Sequence, residues 1–148
     1  MTEVSKFIVS PDKSIRQVIA FIDLNQKGIA LVVDEDQKLI GTVTDGDIRR
    51  AILAGSQLDE PVKTIMDRKD QSGDAKPVTA RLGTRRTDLL QLMQKRAIRQ
   101  VPLLDAKGRV ADLVTLAELM PDQFLPLQAV IMAGGSGTRL RPLTEDMP

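Results

Sequence analysis

The stretch Gly28–Leu53, GIALVVDEDQKLIGTVTDGDIRRAIL, changes its pattern three times. Ile29–Val33 is an unbroken aliphatic run ended by Asp34, which suits a short strand covered on both faces. Asp34–Lys38 is a polar turn, and Leu39–Val43 reads as the returning strand. From about Asp45 to Leu53 the pattern becomes helical, with Ile48, Ala51 and Ile52 on one stripe and a stop near Gly55. The same order recurs in Arg99–Met120, RQVPLLDAKGRVADLVTLAELM. Asp105 follows Asp34, Thr115 follows Thr44 and Glu118 follows Asp47, each by 71 positions (105−34, 115−44, 118−47). The register extends backward without a gap, since Val18, Ile19 and Ile22 fall on Leu89, Leu90 and Met93.

Working outward, Phe7–Val9 reads as a short strand and Ser10-Pro11-Asp12 as the turn into a helix. Ile15, Val18, Ile19 and Ile22 then form one apolar stripe at i, i+3, i+4 and i+7. The unit is therefore β-α-β-β-α, and two copies fill residues 5 to 120. The fold class is α/β (α+β). A unit of ~60 residues cannot bury its sheet alone, so the copies are expected to pack face to face about a pseudo-twofold axis. Between them Asp67–Lys76, DRKDQSGDAK, is polar and reads as a mobile loop.

Composition narrows the chemistry. The core must be aliphatic, because the 148 residues include no Trp, no Tyr and only three Phe. There is no cysteine and no histidine, which removes disulfides, thiolate or imidazole metal sites and any Ser-His or Cys-His nucleophile. A net charge of +1 gives no global field toward nucleic acid or an anionic membrane. The N-terminus has no apolar signal region and no run of apolar residues is long enough to span a bilayer, so a soluble cytoplasmic protein is expected.

The repeat resembles a tandem pair of CBS domains, a Bateman module. The residues that carry the resemblance are the apolar strand ending in Asp34 and then Gly41-Thr42-Val43-Thr44-Asp45-Gly46-Asp47, which matches the family's spacing of glycine, Ser/Thr and aspartate. The second copy, Asp112-Leu113-Val114-Thr115-Leu116-Ala117-Glu118, departs from it twice, with Asp112 for the glycine and Glu118 for the aspartate. The resemblance implies clefts for adenosine-type ligands (AMP, ADP, ATP or S-adenosylmethionine) and a regulatory role. Physical chemistry points the same way. Thr44 stands where a strand turns into a helix, so its hydroxyl and the first free N–H groups face an incoming phosphate. Asp47, one turn in, could accept both hydroxyls of a ribose, and Arg49 and Arg50 lie just beyond. Thr115, Glu118 and Arg99 are the corresponding candidates of the second cleft, and Gly41 would let the backbone approach the ligand. Thr-x-x-Asp and Thr-x-x-Glu are equally capping boxes, whose side chains satisfy only backbone donors. The basic residues Lys76, Arg81, Arg85, Arg86, Lys95, Arg96 and Arg99 come without stacking aromatics and read as a solvated helix face rather than a nucleic-acid surface, with Arg99 the exception because it precedes the second buried strand, beside where that cleft should open.

The tail, AVIMAGGSGTRLRPLTEDMP (129–148), sets a short apolar run, Ala129–Ala133, before a glycine-rich loop. It is neither a dinucleotide fingerprint nor a P-loop, since Leu140 stands where a third glycine is needed and no Gly-Lys-Ser/Thr follows. It resembles the signature of sugar-1-phosphate nucleotidyltransferases. The resemblance implies a Rossmann-like domain in which Gly134, Gly135, Ser136 and Gly137 cradle the nucleotide and Arg139 stabilises charge on the triphosphate. It also implies Mg for the parent enzyme only. The family's lysine, metal carboxylates and sugar site would follow Pro148, so this chain is expected to catalyse nothing by itself.

The organisation expected is one CBS repeat over 1–66, a second over 67–120, a linker over 121–128 and the start of a nucleotidyltransferase domain over 129–148. The function expected is adenine-nucleotide binding by the regulatory front end of an NDP-sugar pyrophosphorylase for glycan or polysaccharide precursors. The first cleft should be the tighter, because Asp112, if it points inward, repels phosphate in the second. Alternatives are a structural dimerisation module with empty clefts and a free-standing binding module with a vestigial tail. A homodimer is expected through the second helices, whose apolar faces are Ile48, Ala51 and Ile52, and Leu116, Leu119 and Met120.

Overall fold

The structure, a computed structural model, describes residues 4–73 and 76–120. The linker over 121–128, the strand expected at Ala129–Ala133, the loop Gly134–Gly137 and Arg139 lie outside the described residues. After a single 3-10 turn at Val4–Lys6 come β1 (Ile8–Val9), α1 (Ile15–Asn25), β2 (Ile29–Val33), β3 (Leu39–Thr44) and α2 (Asp45–Leu53). α3 (Lys63–Ser72) follows, then β4 (Ala80–Arg81), α4 (Arg86–Arg96), β5 (Gln100–Leu104), β6 (Val110–Thr115) and the one-turn α5 (Leu116–Leu119). Each repeat contributes one three-stranded sheet, β1-β2-β3 and β4-β5-β6, parallel across its first pair and antiparallel across its second.

The offset read in the sequence is the offset of the strand register. Ile29 pairs with Thr44 and Gln100 with Thr115; Val9 pairs with Val32 and Ala80 with Leu103. Even the irregularities correspond, one between Val32 and Val33, the other between Leu103 and Leu104. The helix ends correspond as well, since Gln26 and Ala97 close α1 and α4 at φ 53° and 51°.

The pseudo-twofold axis can be located from backbone bonds. Lys38 bridges Arg109, its own counterpart 71 positions on. Leu39 N–H donates to Gly108 C=O (3.3 Å), and Val110 N–H donates to Gln37 C=O (3.4 Å). Exchanging the two repeats turns one of these bonds into the other, as a twofold through the paired turns requires. Both turns need a left-handed residue, supplied by Gln37 (φ 63°) and by Gly108 (φ 79°), where glycine bears that conformation without cost.

Burial follows the patterns. All five residues of β2 are buried, as expected of its apolar run. The α1 stripe buries Ile15, Val18 and Ile22 against β2, β3 and α2, while Ile19 stays 36% exposed beside a cleft. Leu89 and Met93 do the same in the second repeat with Val101, Leu103 and Leu119. A third cluster joins the halves, where Phe7, Ile29 and Leu31 meet Leu113.

Two expectations change. The polar stretch from Asp67 is not a loop up to Lys76; its first part is the end of α3. Val62, Ile65 and Met66 make an apolar stripe that docks on the first repeat, with Val62 and Ile65 buried, and Gly73 (φ 83°) terminates the helix. Most of its polar side chains cover the outer face, but Lys69 shares the inward stripe. The apolar patch expected on the second helices is also smaller. Ile48 and Ala51 are buried in the first core and Leu119 in the second, so Ile52 and Met120, 44% and 49% exposed, are what the stripes leave outside.

Candidate functional site

β3 runs directly into α2, which makes Thr44 both the last strand residue and the helix N-cap. Its hydroxyl oxygen accepts the Asp47 N–H (3.3 Å), while Asp47 Oδ2 accepts the Thr44 N–H and the Thr44 hydroxyl, both at 2.9 Å. The carboxylate is 6% exposed. Lys69, reaching over from α3, donates to the same Oδ2 (3.1 Å) and to the Thr42 carbonyl (3.0 Å), and the Arg50 guanidinium holds Oδ1. Thr115 and Glu118 repeat the cap, with Thr115 N–H on Glu118 Oε2 (2.9 Å) and Glu118 N–H on the Thr115 hydroxyl (3.4 Å). There the second carboxylate oxygen meets Lys27 of the first repeat (2.9 Å), and the Glu118 side chain is 43% exposed. Both motifs are thus capping boxes in fact, which leaves them able to face a ligand as well.

Burial raises the Asp47 carboxyl, but the Thr44 N–H, the Lys69 ammonium and the Thr44 hydroxyl outweigh it and hold it below its ordinary 3.8. Burial likewise works upward on Glu118, and the Thr115 N–H and Lys27 overcome it. A carboxyl depressed in the fold stabilises it fully above the unfolded value and loses that stability as pH falls through the folded one. Thermal melts should therefore lose stability below about pH 4, and Asp47→Asn should flatten that fall. Parallel curves for the two proteins would contradict the pairing.

Two open clefts converge on Thr44. One, of about 880 Å³, is walled by Ile29, Thr42, Thr44 and Asp47 of the first repeat, by Lys69 of α3, and by Lys76–Thr79, Leu92, Arg96, Ile98, Gln100 and Pro102 of the second. The other, of about 910 Å³, shares Thr44, Ile98 and Gln100 and adds Lys27, Gly28, Asp45, Gly46, Arg50 and Arg99. Gln100 ties the walls together by donating to the Lys27 carbonyl (2.7 Å). Both volumes fall within the roughly 300–1,000 Å³ of small-molecule sites.

Several candidates sit elsewhere than expected. Successive strand residues alternate faces, so Thr42 and Thr44 face the cleft while Gly41 faces α3. A Cβ at Gly41 would lie 2.7 Å from Met66 Cε, so this glycine admits a helix rather than a ligand. Asp112 holds the matching position of β6 and by the same alternation points away from the cleft, its Oδ1 accepting the Leu113 N–H (2.9 Å). Arg50, three residues from Asp47 and on its face, lines the cleft, whereas Arg49 is exposed and points off that face. Arg99 gives its carbonyl to Leu116 N–H (2.7 Å), and it lines the cleft of the first repeat with Thr44 and Arg50.

Lys69, Lys27 and Gln100 are site residues that the sequence pattern had not singled out. Lys69 had a signal, since Val62, Ile65, Met66 and Lys69 share one helical stripe. Of the basic run, Lys76 and Arg96 are exposed and line the cleft, and Arg86 donates to the Leu119 carbonyl.

A CBS domain model matches residues 2–54 and again 62–121. The chain belongs to the CBS-domain family. A nucleotidyl transferase model matches residues 128–148, the segment with the glycine-rich loop. This CBS pair is similar to arabinose 5-phosphate isomerase GutQ of Salmonella typhi, 30% identical over 101 residues that make 67% of this chain and 29% of the isomerase. The pair thus spans under a third of such relatives. Among solved structures it is similar to a CBS domain protein of Pyrobaculum aerophilum complexed with AMP (TM-score 0.64, 20% identity, 75% of this chain and 80% of that one). It is also similar to the CBS domain pair of protein MJ0100 in complex with 5′-methylthioadenosine and S-adenosyl-L-methionine (TM-score 0.65, 23% identity, 76% and 87%). Among the described residues no helix is long and apolar enough to cross a membrane, and no cluster of acidic residues could hold a metal ion.

Proposed function

We propose that the CBS pair binds an adenine nucleotide in the cleft at Thr44 and Asp47, and that it regulates a sugar-1-phosphate nucleotidyltransferase to which residues 129–148 belong. The observation that carries the reading is the wall composition of the cleft. A buried carboxylate at a helix N-terminus suits a ribose diol, aliphatic faces at Ile29, Ile98 and Pro102 suit a base, and Lys76 and Arg96 suit phosphate. AMP in the Pyrobaculum aerophilum relative supports the choice of base. The nucleotidyl transferase match and the Gly134–Gly137 loop with Arg139 support the parent activity.

The first cleft is the tighter in this reading, for a reason other than Asp112. Asp47 is shielded and preorganised by four donors, whereas Glu118 is half exposed and one methylene longer. Calorimetric titration with AMP, ADP and ATP should show one dominant event, and Glu118→Ala should leave it within about threefold, as an exposed group permits. Loss of that event in Glu118→Ala would move the site to the second repeat. A homodimer formed through α2 and α5 remains the reading for the exposed Ile52, Leu53 and Met120. A module that dimerises yet takes up no nucleotide at millimolar concentration would have the purely structural role instead.

A further inference from the structure

We infer that the second cleft is closed by the chain's own N-terminal turn, with Phe7 as the plug, so that the pair takes one nucleotide and not two. The inference rests on the adenine-nucleotide reading of the first cleft and concerns its counterpart. The offset of 71 positions carries the wall of the first cleft onto the second. Thr44 and Asp47 become Thr115 and Glu118, Thr42 becomes Leu113, Val78 becomes Phe7 and Ile98 becomes Lys27. The cap is kept, while the space in front of it changes.

β3 and β6 pair alike but bury opposite faces. On β3 the buried residues are Gly41 and Val43, and Thr42 and Thr44 on the cleft face are partly exposed. On β6 the buried residues are Leu113 and Thr115, 2% and 7% exposed, which are the counterparts of that cleft-facing pair. The start of the chain covers them. The turn Val4–Lys6 lies against β6, and Phe7, 3% exposed, joins Leu113, Ile29 and Leu31 in one buried cluster. Backbone bonds fix it there: Phe7 N–H donates to the Val4 carbonyl (2.9 Å), and the Phe7 carbonyl accepts the Leu31 N–H (2.6 Å). A phenyl ring and an isobutyl group thus stand where Val78 and Thr42 leave the first cleft open. Lys27 completes the closure by donating to Glu118 Oε1 (2.9 Å), the oxygen that the cap does not use. A base entering here must drive out two packed apolar side chains, which costs about tenfold or more in affinity for each. A ribose must also compete with an ammonium for Glu118.

The test is the stoichiometry of AMP binding, read by calorimetric titration of the 148-residue protein, of Glu118→Ala and of a triple variant. The triple variant, Phe7→Val with Leu113→Thr and Lys27→Ile, gives the second cleft the residues of the first. Wild type and Glu118→Ala should each take one AMP per chain. The triple variant should gain a second event about tenfold weaker than the first, a hydrogen bond to the longer Glu118 carboxylate making the difference. Adding Glu118→Ala to the triple variant should remove that second event and leave the first. Two AMP per wild-type chain, or a wild-type event lost in Glu118→Ala, would overturn the plug while leaving an adenine-nucleotide site in place. So would a triple variant that melts cooperatively yet gains no second event. If the triple variant does not fold, wild type and Glu118→Ala decide between one site and two. An absence of AMP binding in every protein would remove the nucleotide reading and the plug together.

Discussion

Replacing Asp47 by alanine should reduce adenine-nucleotide affinity by about a hundredfold or more, the largest effect expected of any single change in the cleft. The ribose loses its acceptor, which alone corresponds to two hydrogen bonds to a charged group. Loss of preorganisation adds to this. Asp47 fixes Thr44 through two bonds and Lys69 through one, so its removal loosens the N-cap side chain and takes one partner from Lys69 at once. The same change should cost about 2 kcal/mol of stability, because it breaks a capping box and leaves partly buried Lys69 without its carboxylate. Asp47→Asn separates the effects. It keeps the shape and much of the cap, so stability at neutral pH should recover most of the loss while affinity stays low. Titration and denaturant unfolding of the three proteins check this, and full affinity in Asp47→Ala would rule the residue out as a ligand group.

Leu31→Ala should destabilise the protein by about 3 kcal/mol, and should do so for both repeats together. Leu31 is wholly buried in the centre of β2 and belongs to the cluster in which Phe7 and Ile29 of the first repeat meet Leu113 of the second. A cavity there lies on the seam between the halves. Because neither repeat covers its sheet alone, unfolding by urea should remain a single transition shifted to lower denaturant, reported alike by probes in either repeat. A comparable truncation at Met93, buried in the second core alone, serves as the reference. Two separated transitions in Leu31→Ala would mean that the repeats are independent domains.

The fold was legible because it is written twice. A gapless offset of 71 positions selects the same strands, the same helix and the same turn in each half, and one copy corroborates the other. What escaped detection occurs once. α3 has no second copy among the described residues and carries more charged than apolar residues; only Val62, Ile65 and Met66 betray the face it buries. The misplacement of Gly41 follows from reading a motif as a string. Counting by twos along β3 puts Gly41 with Val43 and opposite Thr42 and Thr44, so the motif's glycine and its threonine serve different faces. Helical phase in the same way selects Arg50 over Arg49. Arg99, Lys76 and Arg96 are a different case. They reach the first repeat's cleft from the second repeat, and only the twofold packing brings them there. Local pattern identifies the carboxylate and its cap, whereas the phosphate-facing wall is a product of assembly.

The most direct measurement is the structure of the protein crystallised with AMP. The base should lie between Ile29, Ile98 and Pro102, the ribose diol should bond to Asp47, and the phosphate should meet Lys69, Lys76 or Arg96. Nucleotide seated instead at Thr115 and Glu118, or a Thr44–Asp47 cleft that stays empty at saturating AMP, would contradict the proposed site.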